Sequence, residues 1–329
     1  MEANAMQWTQ ASRAARAAVL CVAVLSLASP GGAAEPVPPA LGASQPPARI
    51  VWLMPQLDTT PASGNAGPGP RRGLADTMAD YLTAHWGGRT RHEVVMANIK
   101  RGWRMVQSGE PACLLGVLHT ADRDAQVWFA DTHLIPPHQF VVRGAVMPLV
   151  PRNAAGEVDL ERVWAEARLH GAIVQGRSYG GELDDMIQRQ PPGTMTGYVT
   201  PDFGGHLLSM IAIGRADYTL EYDFILADHL ATRSDSADLV SLPIQGLADP
   251  IVSGVACPRT PWGREVAARV DEVLGTAQAR QVLKADLFSH MSPNARSRYG
   301  ARIDAFFSRP VPPSPFRSRA PSRPSPPPQ

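Results

Sequence analysis

Leu114-Leu115-Gly116-Val117-Leu118-His119-Thr120-Ala121-Asp122-Arg123-Asp124-Ala125-Gln126-Val127-Trp128-Phe129-Ala130-Asp131 is the stretch that decides how this chain folds. An apolar run breaks at Gly116, a short polar turn carrying Thr120 and Arg123 follows, and the chain then re-enters an extended segment. This layout delivers a hydroxyl and a guanidinium at the end of a buried strand, where a sheet edge turns over a cleft. Arginine presents a planar fork of donors that fits a carboxylate bidentately.

Upstream of it, Arg49 to Met54 reads as a first strand, and Leu74 to Trp86 has helical spacing, with Leu74, Met78, Tyr81, Leu82 and His85 near one side. His92 to Ala97 reads as a short strand. Asn98 can cap a helix through Arg101, Trp103 and Val106 that Gly109 ends, and Ala112 to Leu118 is the third strand. Strand, helix, strand, helix, strand implies a parallel sheet with crossover helices. Downstream, Phe140 to Val150 is an apolar extended run broken by Pro148 and Pro151. A second unit follows: a helix over Leu160 to Arg168, a strand over His170 to Val174, and a helix over Glu182 to Gln188. It closes with a strand near Thr196 to Val199, a helix near Gly204 to Ile213 and a strand over Ala216 to Leu220. Pro250 to Ala256 is extended again. A helix with Val266, Val270, Val273 and Leu274 on one side and a last helix over Ala277 to Phe288 complete the pattern.

Two α/β units joined by two extended crossings describe a two-lobed α/β protein with mixed or parallel sheets flanked by helices and a double-strand hinge. Residues 49–308 resemble the type II periplasmic solute-binding proteins of the extracellular family 3 group. The resemblance rests on the strand leading into Thr120-x-x-Arg123 and then Phe129-Ala130-Asp131. Gly109-x-x-Ala112-Cys113 and Ala256-Cys257-x-x-Thr260-x-Trp262-Gly263 point to a poorly characterised branch of it. It implies lobe 1 over residues 49–142, lobe 2 over 143–250, and a return to lobe 1 with C-terminal helices over 251–308. The hinge then falls near Phe140–Val146 and Ile251–Cys257.

The first 34 residues read as an export signal: Arg13 and Arg16 precede the apolar stretch Ala17 to Leu27, and Gly32-Ala33-Ala34 offers a cleavage site. That stretch is shorter than the ~20 residues a membrane span needs. Residues 35–48 form a Pro- and Ala-rich linker, and residues 309–329 a disordered Pro-rich tail. The expected location is therefore the periplasm. A formal net charge of +1 gives no nucleic-acid footprint. After the leader two cysteines remain, Cys113 and Cys257; in an oxidising compartment such a pair invites a disulfide, and two separate buried thiols are the alternative. The histidines show no metal-ligating spacing, and neither a metal nor a cofactor is expected.

In the resembling family the arginine grips the acidic group of the ligand, which places Arg123 in the cleft with Thr120 and the backbone at Leu118 beside it. The plain alternative is a surface arginine neutralised by Asp122 or Asp124. Gly116 and Leu118 stand where amino-acid binders usually carry hydroxyl residues, which argues against an ordinary α-amino acid as ligand. The turn Gly176-Arg177-Ser178-Tyr179-Gly180 opens a helix, and backbone N–H groups there plus a hydroxyl form an anion site that would close from the opposite lobe. Gly214-Arg215-x-Asp217 leads to Glu221 and Tyr222, expected to face the cleft; Asp217 itself is expected to tie or turn the strand. Trp52 and the loop with Asp58 match an aromatic lid, with burial in the core as the alternative for Trp52.

The function these readings support is an exported, monomeric solute-binding protein that captures a small polar, anionic solute for an ABC transporter or a sensor. An enzyme on the same scaffold is the rival. It would be either a dehydratase using Glu221 or Asp58 as acid or base, or a hydrolase. For the hydrolase, Gly176-x-Ser178-x-Gly180 matches the nucleophile elbow, with Asp202 or Asp217 and His229 or His290 completing the triad.

Overall fold

β1 (Arg49–Met54) is buried at every position from Ile50 onward, as a strand covered on both faces must be. It pairs in parallel with β2 (Arg91–Met96) on one side and β3 (Ala112–Leu118) on the other. The connecting helices are α1 (Leu74–His85) and α2 (Ile99–Gln107), and Asn98 caps the second through a bond from the Arg101 amide. The computed structural model describes residues 47–54, 73–166, 168–200, 202, 204–233 and 238–309. The export signal, most of the linker, the loop with Asp58 and the tail beyond residue 309 lie outside them.

After the one-turn helix α3 (Ala121–Asp124), β4 (Val127–Ile135) joins the edge of the same sheet. The order β2-β1-β3-β10-β4 is completed by β10 (Ile251–Pro258), which runs antiparallel to both of its neighbours. The sheet is therefore closed by a strand that returns from far along the chain. Its register sets Ala256 against Leu114 and so brings Cys257 opposite Cys113; the two are joined as a disulfide with Cα atoms 4.4 Å apart.

The second sheet holds β5 (Gln139–Arg143), β6 (Gly171–Val174), β7 (Met195–Tyr198), β8 (Tyr218–Glu221) and β9 (Leu239–Leu242), in the order β7-β6-β8-β5-β9. Its helices are α4 (Leu160–Ala165), α5 (Gly181–Arg189), α6 (Gly205–Ala212) and α7 (Asp223–Thr232). α8 (Pro261–Leu274), α9 (Ala277–His290) and α10 (Pro293–Ser308) pack back on the first sheet, where Val266, Leu283 and Ile303 share one core with Trp52, Met78 and Leu115.

The chain crosses between sheets at residues 136–138 and 243–250. Both crossings lie upstream of the extended runs that the sequence suggests as the hinge, and β5 belongs wholly to the second sheet. The apolar run from Phe140 stops pairing at Arg143, opposite Leu239; Gly144 then enters a turn and Pro148 sits in a 3-10 turn, Met147–Leu149. α4 ends at Ala165 rather than Arg168. α7, β9 and α10 extend the pattern legible in the sequence. α7 lacks a clear apolar stripe because it is covered on two sides, its Leu226 in the second lobe's core and its Phe224 in the first. α10 carries its own start signal, Ser292 accepting from the Ala295 amide with Pro293 in the first turn.

Candidate functional site: the junction between the lobes

Four of the expected site residues, Arg177, Tyr179, Glu221 and Tyr222, meet in one buried cluster. β6 and β8 are parallel neighbours, so the turn after β6 and the end of β8 emerge side by side at their carboxyl ends, the edge where open α/β sheets bind ligands. Arg177 comes from the first and Glu221 from the second. Nη1 of Arg177 donates to Oε2 of Glu221 and Nη2 to Oε1, each at 2.7 Å, and both side chains are at most 2% exposed. The Tyr222 amide donates to Oε1 as well. Tyr222 itself stacks on His138 at 3.8 Å and on Phe224 at 4.9 Å between ring centres. Burial works against the Arg177 charge, but the Glu221 carboxylate outweighs it and holds the guanidinium charged. Burial, followed by the nearby Arg177 charge, keeps the His138 ring neutral.

This geometry corrects one expectation. Glu221 and Tyr222 do not stand open to the cleft, because Arg177 takes both carboxylate oxygens and the rings close over it. The turn before α5 is likewise satisfied from within: Ser178 Oγ donates to Asp184 Oδ2 at 2.5 Å and the Tyr179 amide donates to Asp184 Oδ1 at 2.7 Å. The donors expected to receive an external anion hold a carboxylate from the first turn of their own helix. Tyr179 is buried, its hydroxyl accepting from the Val174 amide, and burial pushes its pKa up to about 12.

Arg123 stands apart. Its Nη1 donates to the Leu118 carbonyl at 2.6 Å, and its guanidinium lies 4.5 Å from the centre of the Trp103 ring. Among the described residues it forms no ion pair. Asp122 is exposed, and Asp124 bonds His119 Nε2 at 2.6 Å instead. Burial lowers the Arg123 pKa, opposed by the charge of Asp184 and by Tyr222, so its guanidinium is partly withdrawn from water within electrostatic reach of the second lobe. Thr120 starts α3, and its hydroxyl caps nothing there.

The lobes touch along this line. Lys100 Nζ, at the start of α2, donates to Gln175 Oε1 at 3.0 Å, next to Gly176. Gly180 has φ +99°, and a Cβ there would sit 2.8 Å from Ile251 Cδ1 and 4.0 Å from Leu118 Cδ1, both in the first lobe. A side chain at this position would hold the lobes apart as well as strain the backbone. Beside the contact is a cavity with about 60 Å³ open to water, walled by Asp76, Gly116, His133, Tyr222, Ser253 and His290 among others. Arg123 is not part of its wall. Among the described residues expected to bind ligand only Tyr222 reaches it. His290, nominated from the sequence only for the rival triad, walls it as well, and His133 is the candidate that sequence reading missed; no spacing could have paired the two, since β4 and α9 supply one each.

Trp52 is a second correction. It is 0% exposed in the first lobe's core, its Nε1 donating to His92 Nδ1 at 2.9 Å and its ring edge-on to Trp86, so no ligand in the cleft reaches it. β1 is a central strand, and its aromatic points into the α1–α8 layer. Nor, among the described residues, does a histidine bond Ser178, whose hydroxyl goes to Asp184. Asp217 accepts from the His170 amide, Asp202 from the His206 amide, and His290 bonds Asp228, so the hydrolase triad is not assembled.

No protein-family profile matches the chain, and no curated protein matches its sequence. Solved structures do. A histidine kinase sensor domain with similarity to periplasmic binding proteins superposes with a TM-score of 0.56 at 18% identity, over 75% of this chain and 99% of that one. The fold is that of the periplasmic binding proteins. A mutant of ArgBP from T. maritima shares this fold with a TM-score of 0.55 and 16% identity, over 74% and 96% of the two chains. An amino acid ABC transporter substrate-binding protein from Streptococcus pneumoniae, solved with L-arginine, matches at 0.53 and 14%, over 74% and 93%. Periplasmic-binding folds thus serve both transport and sensing among these neighbours, and at such identities the likeness is one of architecture.

Proposed function

We propose that this chain is an exported binding protein that takes a small polar, anionic solute between its lobes and presents it to a membrane transporter or a sensor. One observation carries the reading: Arg123, at the lobe junction, is a partly desolvated guanidinium without an ion pair among the described residues. A charge taken out of water is retained at a cost unless something pairs it, and a carboxylate or similar anion fits the fork. The neighbours, which bind amino acids for transporters or sense for kinases, supply the two modes of use. The basic, then apolar, then small-residue leader supports export, and the Cys113–Cys257 bond suits an oxidising compartment. Among the described residues no helix is long and apolar enough to cross a membrane. A non-catalytic role agrees with the hydrogen bonding of Ser178 and Glu221, each already engaged within the chain.

Calorimetry of the mature protein against mono- and dicarboxylic acids tests this. At least one acid binds, and Arg123→Ala weakens it by roughly tenfold to a hundredfold, the worth of a charge-assisted bond pair. Equal affinity in the variant removes Arg123 from the site. Labelling of Ser178 by a fluorophosphonate would instead establish the hydrolase.

A further inference from the structure

Glu221 sits in surroundings suited to receiving a cation. Its carboxylate takes both terminal nitrogens of Arg177, and two aromatic rings, Tyr179 and Tyr222, stand around that guanidinium with their centres 5.0 and 5.2 Å from its carbon. A carboxylate between aromatic faces is the composition that binds guanidinium and ammonium groups. The backbone makes room for it: Gly204 has φ +155°, and a Cβ there would fall 1.8 Å from Glu221 Oε2 and 3.1 Å from Arg177 Nη1. His138 lies in the crossing segment between the lobes and receives Arg177 Nη2 at 3.0 Å, so the slot borders the interlobe junction rather than the interior of one lobe. Leu118, whose carbonyl holds Arg123, comes within 4.0 Å of where a Cβ at Gly180 would sit, in the same turn as Arg177, and the charges of both arginines act on the Tyr222 phenol.

We propose that this slot is a site for a cationic group that Arg177 occupies from within, and that Arg177 thereby determines specificity. The proposal rests on the binding reading above and names its ligand class: organic acids without an ammonium or guanidinium group. A solute cation would have to displace a tethered one, whose effective concentration exceeds that of any free solute, and would leave Arg177 without its carboxylate. Arg123 remains as the charged handle for the ligand, so the acid group is recognised and an amino group is refused.

The test uses the full mature chain, calorimetry and thermal unfolding, with guanidinium ion at low millimolar concentration and L-arginine as probes. The wild type takes neither. Arg177→Ala unfolds at lower temperature, recovers part of the loss with guanidinium, and binds L-arginine at least tenfold more tightly than guanidinium. That gain disappears in Arg177→Ala/Arg123→Ala, because the carboxylate of L-arginine then has no partner. Arg177→Met, which keeps the apolar stem, serves with the same readouts if the alanine variant does not fold. The proposal is overturned by a wild type that binds L-arginine, by a variant that takes neither probe, or by L-arginine binding no more tightly than guanidinium, which marks a purely structural pair. Failure of the binding reading is separate: it appears as a wild type that binds no carboxylic acid at all.

Discussion

His133 and His290 wall the same cavity and differ in charge: His133 is neutral at neutral pH and His290 is protonated. Burial drives the His133 pKa down to about 4, with Asp286 opposing weakly, whereas bonds to Asp228 and Asp286 raise His290 to about 9. An unfolded histidine titrates near 6.5. Between pH 6.5 and 4 the unfolded chain binds the proton that folded His133 refuses, so His133 erodes stability as pH falls through that window. His290 contributes fully below 6.5, and its contribution is lost as pH rises through 9. Each limb amounts to something on the order of 3 kcal/mol. Urea unfolding at several pH values should therefore show a maximum near pH 6.5. His290→Gln should lower stability at pH 6.5 and flatten the alkaline limb; an alkaline slope unchanged by that substitution would show that the pairs with Asp228 and Asp286 do not form.

At the scale of elements, the start of α5 shows why a helix N-terminus is not automatically a ligand site. Its amide at Tyr179 and the Ser178 hydroxyl converge on Asp184, which lies within their own chain neighbourhood. The turn is a structural cap. Ser178→Ala removes one of these bonds and should cost about 1 kcal/mol in chemical denaturation while leaving carboxylic-acid affinity within twofold. A large loss of affinity with little loss of stability would instead put the hydroxyl on the ligand. Asn98→Ala at the start of α2 should cost a similar ~1 kcal/mol, since Asn98 accepts from the Arg101 amide. Lys100, two residues on, reaches Gln175 in the other lobe, so the cap also steadies one of the contacts between them.

At the scale of the molecule, the Cys113–Cys257 bond spans 144 residues and encloses the whole second sheet. β3 and β10 are neighbours in space, yet one precedes and the other follows the second lobe. Cross-linking them restricts the unfolded chain, and for a loop of this length the entropic effect is a few kcal/mol. Cys113→Ala/Cys257→Ala should lower the free energy of unfolding by about 2–5 kcal/mol in urea, with the native near-ultraviolet signal retained. No loss would mean that the antiparallel pairing of β10 already carries that constraint. Other links reinforce the return: Arg298 of α10 reaches Glu157 at 2.6 Å, and His290 of α9 holds Asp228 of α7. These ties connect the C-terminal helices to the second lobe, the first of them next to the crossing at residues 243–250.

Local chemistry was enough to read much of this protein. The limits of β1 and β3, the Asn98 cap, the two α/β units and the turn at Thr120–Arg123 follow from apolar spacing, capping residues and glycine, all of which act within a few positions along the chain. The two-lobed architecture followed from the order of those units. The partners of charged side chains did not, because they are chosen between strands brought together only when the sheets form. Arg177 and Glu221 lie 44 positions apart and meet because β6 and β8 are adjacent in the second sheet. The same holds for Trp52, whose burial depends on α1 and α8 covering β1, and for the His133–His290 cavity, assembled from β4 and α9. Sequence determined which elements exist; tertiary structure decided which charges were already satisfied, since Coulomb and hydrogen-bond partners depend on distance in space and not on distance along the chain.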